Sequence, residues 1–276
     1  VLESDHTPDH GTCGDPFLFN FSLSDNREVD SVHLEFWFGT ETHNNISLSL
    51  GSYHTYGITI PSDSVDDLHY IIHASDKSGN WFSTVEKSVT VVDDDKPVLL
   101  DDMTPDTGTT GESITFDLSA GDNIELLGAY VEYWFEGGAG TNSSMTGDGR
   151  YILTVEVPGN LTGNLSYRFR FSDTSGNWNV SEVKVIRILD NDAPVLIEDR
   201  TPNQATTGDP FTFSADISDN IGMESVRVLY RFGSGDENNI SLSEDGSWSV
   251  EITIPSDSLD QLTYRLIFRD TSGNRN

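Results

Sequence analysis

The sequence predicts an all-β chain of three β-sandwiches in tandem, and three observations carry that prediction. The 276 residues repeat themselves at an offset of 97. Apolar and polar residues alternate with a period of two, the mark of strands with one buried face. Gly, Asn, Asp and Pro punctuate these runs, and no stretch of useful length has a helical period.

The repeat is continuous. Val1-Leu2, Val98-Leu99 and Val195-Leu196 open three segments, each followed by Thr-Pro at Thr7-Pro8, Thr104-Pro105 and Thr201-Pro202. Asp25-Asn26 matches Asp122-Asn123 and Asp219-Asn220; Phe38 matches Phe135 and Phe232; Pro61 matches Pro158 and Pro255. The run Asp76-Lys77-Ser78-Gly79-Asn80 matches Asp173-Thr174-Ser175-Gly176-Asn177 and Asp270-Thr271-Ser272-Gly273-Asn274. The expected domains are 1–97, 98–194 and 195–276.

Each repeat holds roughly seven short strands, which points to two packed sheets joined as a Greek key. In the second repeat, strand A is expected near 98–104, B near 113–120, C near 128–136, and C′ or D near 142–146. E follows near 150–157, F near 165–172 and G near 179–189. The Leu-x-Tyr that opens strand F (Leu68/Tyr70, Leu165/Tyr167, Leu262/Tyr264) resembles the tyrosine corner of immunoglobulin-like folds. That resemblance implies a phenol bonded to backbone at the E–F turn. The third repeat ends after its F–G turn, so it is expected to lack strand G. Either the segment is truncated there, or the gap is an acceptor groove that a strand from another subunit fills by strand addition. The abrupt start at Val1 reads as a segment of a longer protein.

Composition narrows the function classes. With 46 acidic against 15 basic residues the net charge is −31, which disfavours nucleic acid and anionic membranes as partners. The 35% hydrophobic and 10% aromatic content is enough for several small cores, so acidity here does not mean disorder. No apolar run is long enough to span a bilayer. Cys13 is the only cysteine, so no disulfide forms within the chain.

The carboxylates are placed with a pattern. In this topology the B–C and F–G loops lie at the pole where the preceding domain attaches. The first junction therefore gathers Asp93, Asp94 and Asp95 with Asp122, Asn123, Asp173 and Asn177. The second gathers Asp190, Asn191 and Asp192 with Asp219, Asn220, Asp270 and Asn274. So many hard oxygen ligands suit calcium, which takes about six to eight oxygens. The same Asp-x-Ser-Gly-Asn is also what a tight turn requires, since Asp and Asn bond their own backbone and Gly supplies positive φ. It is not an EF-hand loop.

Asp190-Asn191-Asp192-Ala193-Pro194 resembles the calcium-binding linker between cadherin domains. More broadly, the repeats resemble tandem immunoglobulin-like or fibronectin-III-like repeats of archaeal and bacterial surface proteins. The resemblance implies an extracellular or cell-surface location and a spacer, adhesive or array-forming role, as in a surface layer, stalk, filament or adhesin.

Asn-x-Ser/Thr sequons at Asn20, Asn45, Asn142, Asn160, Asn164, Asn179 and Asn239 are candidate N-glycan sites. Three of them, Asn45, Asn142 and Asn239, share one repeat position. All seven histidines (His6, His10, His33, His43, His54, His69, His73) fall in repeat one. His33, His69 and His73 are expected to point outward from strands C and F, and His10 lies near Cys13, which leaves a soft-metal site open. Exposed Trp37, Trp134, Trp81 and Trp178 offer an alternative role in carbohydrate or receptor binding. A spacer in a secreted hydrolase is a further alternative. No nucleophile elbow, zinc-protease motif or phosphate loop is present, so a non-enzymatic role is expected.

Overall fold

The computed structural model describes residues 1–276 and is built from strands alone, with no helix long and apolar enough to cross a membrane. Repeat one contains β1 (Leu2–Asp5), β2 (His10–Thr12), β3 (Pro16–Leu23), β4 (Val29–Phe38), β5 (Asn44–Leu48), β6 (His54–Thr59), β7 (Leu68–Asp76), β8 (Trp81–Ser83) and β9 (Lys87–Val92). One sheet orders β1-β3-β6 and the other β2-β9-β7-β4-β5, with β8 also paired to β7.

Repeat two contains β10 (Val98–Asp102), β11 (Thr107–Thr109), β12 (Ser113–Gly121), β13 (Leu126–Phe135), β14 (Thr141–Ser144), β15 (Thr146–Asp148), β16 (Arg150–Glu156), β17 (Gly163–Asp173), β18 (Trp178–Val180) and β19 (Lys184–Leu189). Its sheets order β10-β12-β16-β15 and β11-β19-β17-β13-β14. In repeat three, β20 (Val195–Asp199), β21 (Pro210–Ser218), β22 (Met223–Phe232), β23 (Asn238–Ser241), β24 (Ser243–Asp245), β25 (Ser247–Thr253) and β26 (Leu262–Asp270) form sheets β20-β21-β25-β24 and β23-β22-β26.

Three expected elements change on inspection. Strand A is split: after β10 the chain crosses to the other sheet, where β11 pairs in parallel with β19, as β2 does with β9. The Thr-Pro between the two segments allows the crossing, because proline donates no ladder hydrogen bond. The C′/D stretch is two strands on opposite sheets, β14 and β15, with buried Met145 at the switch. Strand G is broken, β18 turning back on β17 before β19 resumes the pairing.

Period-two alternation fixes what is buried. Phe19, Phe21, Leu34 and Ile72 fill the first core, Phe116, Leu118, Val131 and Phe169 the second, and Phe213, Val226 and Val228 the third. Each such side chain contributes about 1.5–3 kcal/mol on burial. Repeat three is the thinnest. No strand flanks β26 opposite β22, and a groove of about 400 Å³ lined by Phe211, Ile254, Leu262 and Tyr264 lies where Ile186 and Ile188 fill repeat two.

The tyrosine corner differs from expectation. Tyr70, Tyr167 and Tyr264 donate to side chains, the Oδ2 atoms of Asp5, Asp102 and Asp199, at 2.8, 2.9 and 2.7 Å. Each Asp sits at the end of strand A and also accepts the amide of the repeat's threonine through Oδ1. Lys87 and Lys184 close the first two sites by pairing with Asp5 and Asp102. A carboxylate reached by an ammonium and a phenol outcompetes a neutral backbone carbonyl as acceptor.

Candidate metal centre at the repeat junctions

Each junction brings together three segments. The connector after β9 supplies Asp93, the loop between β12 and β13 supplies Asp122, and the end of β17 supplies Asp173. Carboxylate oxygens of these three residues lie within 4.8 Å of one another. Asp190, Asp219 and Asp270 repeat the arrangement at the second junction. None of the six pairs with a Lys, Arg or His.

The turn explanation accounts for one oxygen of each loop aspartate. Asp173 Oδ1 accepts the amides of Gly176 and Asn177 at 2.7 and 2.8 Å, and Gly176 has φ 98°, which favours glycine. Asp122 Oδ1 accepts Ile124 N at 3.1 Å, and Asp219 Oδ1 accepts Ile221 N and Gly222 N. The second oxygen is different. Oδ2 of Asp93, Asp122, Asp173, Asp190 and Asp219 is buried with no partner, although Asp173 is wholly buried and Asp93 is 8% exposed. At the second junction Asp270 Oδ2 accepts Asn274 Nδ2 at 2.8 Å. An unpaired buried carboxylate oxygen is expensive, and three facing one another add mutual repulsion.

The electrostatics show the cost. Burial raises the Asp122 pKa, and the charges of Asp93 and Asp173 raise it further against amide hydrogen bonds. Burial opposes ionisation of Asp93 too, yet the nearby Ser175 hydroxyl and the hydrogen bonds that Oδ1 accepts from Cys13, Asn123 and the Asp95 amide hold its carboxyl below the usual range. The junction therefore keeps an anionic connector beside an aspartate that resists its charge. The donors are all oxygen, which fits a hard divalent cation such as calcium.

The four asparagines do something the sequence reading did not foresee. The sequence predicts oxygen ligation from them; in addition, their amide nitrogens bolt neighbouring repeats together. Asn123 Nδ2 reaches into the base of repeat one, donating to Ser62 O at 2.9 Å and to Cys13 Sγ and Asp93 Oδ1 at 3.3 Å. Asn220 Nδ2 likewise enters repeat two at Gly159 O, 2.7 Å, with Thr110 Oγ1, Asp190 Oδ1 and Asp192 Oδ2 around it. Asn177 and Asn274 donate to the connector carbonyls of Asp93 and Asp190. Once each amide is spent, Oδ1 of Asn123 and Asn220 remains buried and unpartnered.

Other expected residues fall elsewhere. Asp94 is exposed and in neither triad; Asn191 is exposed; Asp95 and Asp192 flank the bolts rather than the triads. Asn179 Nδ2, the atom a glycan would occupy, donates to Pro97 O at 2.8 Å, and Asn276 does the same to Pro194. Asn20 is half-buried in β3, whereas Asn45, Asn142, Asn160, Asn164 and Asn239 are exposed. Cys13 is buried against Asp93, its thiol pushed up to about 11 mainly by burial, while His10 is exposed and pairs with Asp9. Trp37, expected to be exposed, is 7% exposed because His43 and His69 stack on it. Trp134 is half-buried, and Trp81 and Trp178 are exposed.

Paired sheets of three to six strands, A strands split in the first two repeats, and side-chain-bolted junctions define a tandem array of immunoglobulin-like β-sandwich domains. A three-domain I-band fragment of titin superposes along the array with TM-score 0.52 at 12% identity, covering 100% of this chain and 95% of that one. A Glu-to-Ala variant of the titin fragment gives 0.50, also at 12% identity and with the same coverage. A tetra-tandem repeat from the extending region of a large adhesion protein aligns with 99% of this chain and 70% of that one, at 16% identity and TM-score 0.38. No protein-family model matches the sequence, and no curated protein matches it.

Proposed function

We propose that this chain is a non-enzymatic structural segment of an extracellular surface protein, whose immunoglobulin-like repeats are braced in line by calcium at both junctions. The observation that carries the reading is the unpartnered Oδ2 of three segments meeting at the first junction, repeated with Asp190 and Asp219 at the second. Asp93 Oδ2, Asp122 Oδ2, Asp173 Oδ2 and Asn123 Oδ1 would hold the ion at the first junction. Asp190 Oδ2, Asp219 Oδ2, Asn220 Oδ1 and Asp270 would hold it at the second. Calcium would neutralise the clustered charge and tie connector to loops, so that repeats otherwise free to pivot keep one orientation.

The same chemistry supports an extracellular location. Four protein oxygens leave positions for water, which makes a weak site of the kind that extracellular calcium fills. Exposed sequons at the shared position, Asn45, Asn142 and Asn239, would add glycan to the solvent edge of each repeat. The partners are neighbouring repeats or further copies of the same kind. Burial of Trp37 weakens the alternative of a sugar-binding face in repeat one.

Calcium is expected to raise the melting temperature of the 276-residue chain by mass action and to narrow the spread of inter-repeat angles in X-ray scattering. Melting and scattering curves identical in calcium and in chelator would reject the brace. A response only to molar monovalent salt would replace it with general charge screening. Intact-mass measurement of chain secreted from a glycosylating host should show hexose-containing adducts at Asn45, Asn142 and Asn239; bare mass at all three would remove the glycan part.

A further inference from the structure

We propose that the outer face of the sheet holding β22 and β26 in repeat three is a docking surface for a second copy of this chain, its arginines engaging the acidic surface of that copy's repeat one. The inference extends the structural role to a contact between copies. It stands whether or not calcium fills the junctions, since it shares no residue with them.

The period of two builds the face. Val226, Val228 and Phe268 point into the core, so Arg227, Leu229 and Arg231 of β22 and Arg265, Ile267 and Arg269 of β26 turn outward. The register sets Arg227 opposite Ile267 and Leu229 opposite Arg265, so guanidinium groups surround a half-buried apolar pair. Arg275 pairs beside Arg269 at the edge. Five of the six basic residues of repeat three are therefore gathered here, and the sixth, Arg200, pairs with Asp216 on the other sheet.

The positive charge is only partly neutralised within the repeat. Arg265 and Arg269 reach Glu237 and Glu224 at 3.3 and 3.0 Å. Arg227 turns instead to Asn239 Oδ1 at 2.7 Å and Ser241 Oγ at 3.2 Å, and Arg231 to Thr263 Oγ1 at 3.4 Å. Neither pairs with a carboxylate, in a chain that has 46 acidic residues. The siblings differ at the centre of the face, where Glu35 and Glu132 occupy the position of Leu229. A shallow groove of about 350 Å³ between Arg231 and Arg265, with Leu229 in its lining, leaves room for an incoming acidic side chain.

The face cannot meet its own copy, because arginine would oppose arginine. Repeat one has the opposite sign, with 17 acidic and 4 basic residues in 1–97. Its loop before β7 exposes Asp63, Asp66 and Asp67 around Val65, itself 43% exposed, which matches arginines set around Leu229 and Ile267. Repulsion between two chains of net charge −31 does not forbid the contact. At physiological ionic strength the screening length is about 8 Å, so the charges that face each other decide the sign.

The test is sedimentation equilibrium of the 276-residue chain in calcium at about 0.15 M salt. The chain is made in a host that adds no glycan, because Asn239 borders the face. It should self-associate with rising concentration, and both Arg227→Gln/Arg231→Gln and Asp63→Asn/Asp67→Asn should weaken that association by about tenfold or more. Arg27→Gln/Lys77→Gln removes the same charge as the first pair from exposed sites in repeat one and should not weaken it. Unaltered melting confirms that the variants fold. A chain that stays monomeric, or association that survives either of the first two double variants, overturns the proposal. So does a monomer that binds heparin through Arg227 and Arg231, which would make an acidic polysaccharide the partner.

Discussion

Asp173→Asn is expected to empty the first junction of calcium and leave the second loaded, so that ions bound per chain fall from two to one. Asparagine keeps an oxygen for the amides of Gly176 and Asn177, so the turn survives while one of three charges is lost. A unit charge about 4 Å from a divalent ion contributes up to roughly 8 kcal/mol at an effective dielectric near 20, so its removal should lower affinity by at least about 100-fold even after water takes part of its place. The sign should invert without calcium. In chelator the variant relieves repulsion, so its melting temperature should equal or exceed that of the parent; in calcium it should be lower. A variant that still binds two ions, or that is destabilised equally in both conditions, would reduce Asp173 to a turn residue.

The pH dependence carries the same inversion. The Asp122 pKa is raised in the fold, chiefly by burial and then by Asp93 and Asp173. A folded-state pKa above the unfolded value means that the folded junction binds the proton more readily. Without calcium, the cost of ionising Asp122 is fully present above the raised pKa. It is relieved as pH falls toward the ordinary 3.8. With calcium, protons compete for the ligands, and the same fall in pH weakens the junction.

Asp102→Ala is expected to destabilise repeat two by about 2–5 kcal/mol in chemical denaturation. The Asp102 side chain is 4% exposed and joins Tyr167, Lys184 at 2.7 Å and the Thr104 amide. Its removal leaves a buried phenol and an amide without an acceptor. Burial raises its pKa, but Lys184, Thr104 and Tyr167 outweigh that and lower it below 3.8. The stabilisation is therefore complete above 3.8 and lost as pH falls through the lower folded value. Asp199→Ala should cost less, because Tyr264 is 36% exposed and no lysine pairs with Asp199. Asp102→Ala within about 0.5 kcal/mol of the parent, the range of ordinary surface changes, would sink this account.

The sandwich class, the strands with clean alternation and the three segments that meet at each junction were legible in the sequence, although Asp94 and Asn191 were wrongly placed among the residues that converge. Those features are local: a period of two sorts faces within one strand, and Asp-x-Ser-Gly-Asn makes its turn from neighbouring atoms. Which oxygen remains free was decided only by the tertiary structure. Asp173 spends Oδ1 on its own turn, and its idle Oδ2 matters because a connector some eighty residues earlier in the chain arrives beside it; Asn177 reaches Asp93 O across a separation of 84. The bolting role of Asn123 and Asn220, the phenol–carboxylate bond of Tyr167 and the covered face of Trp37 have the same origin. Each is set by distances between segments remote in sequence, where competing acceptors and packing partners outweigh what a residue type prefers by itself.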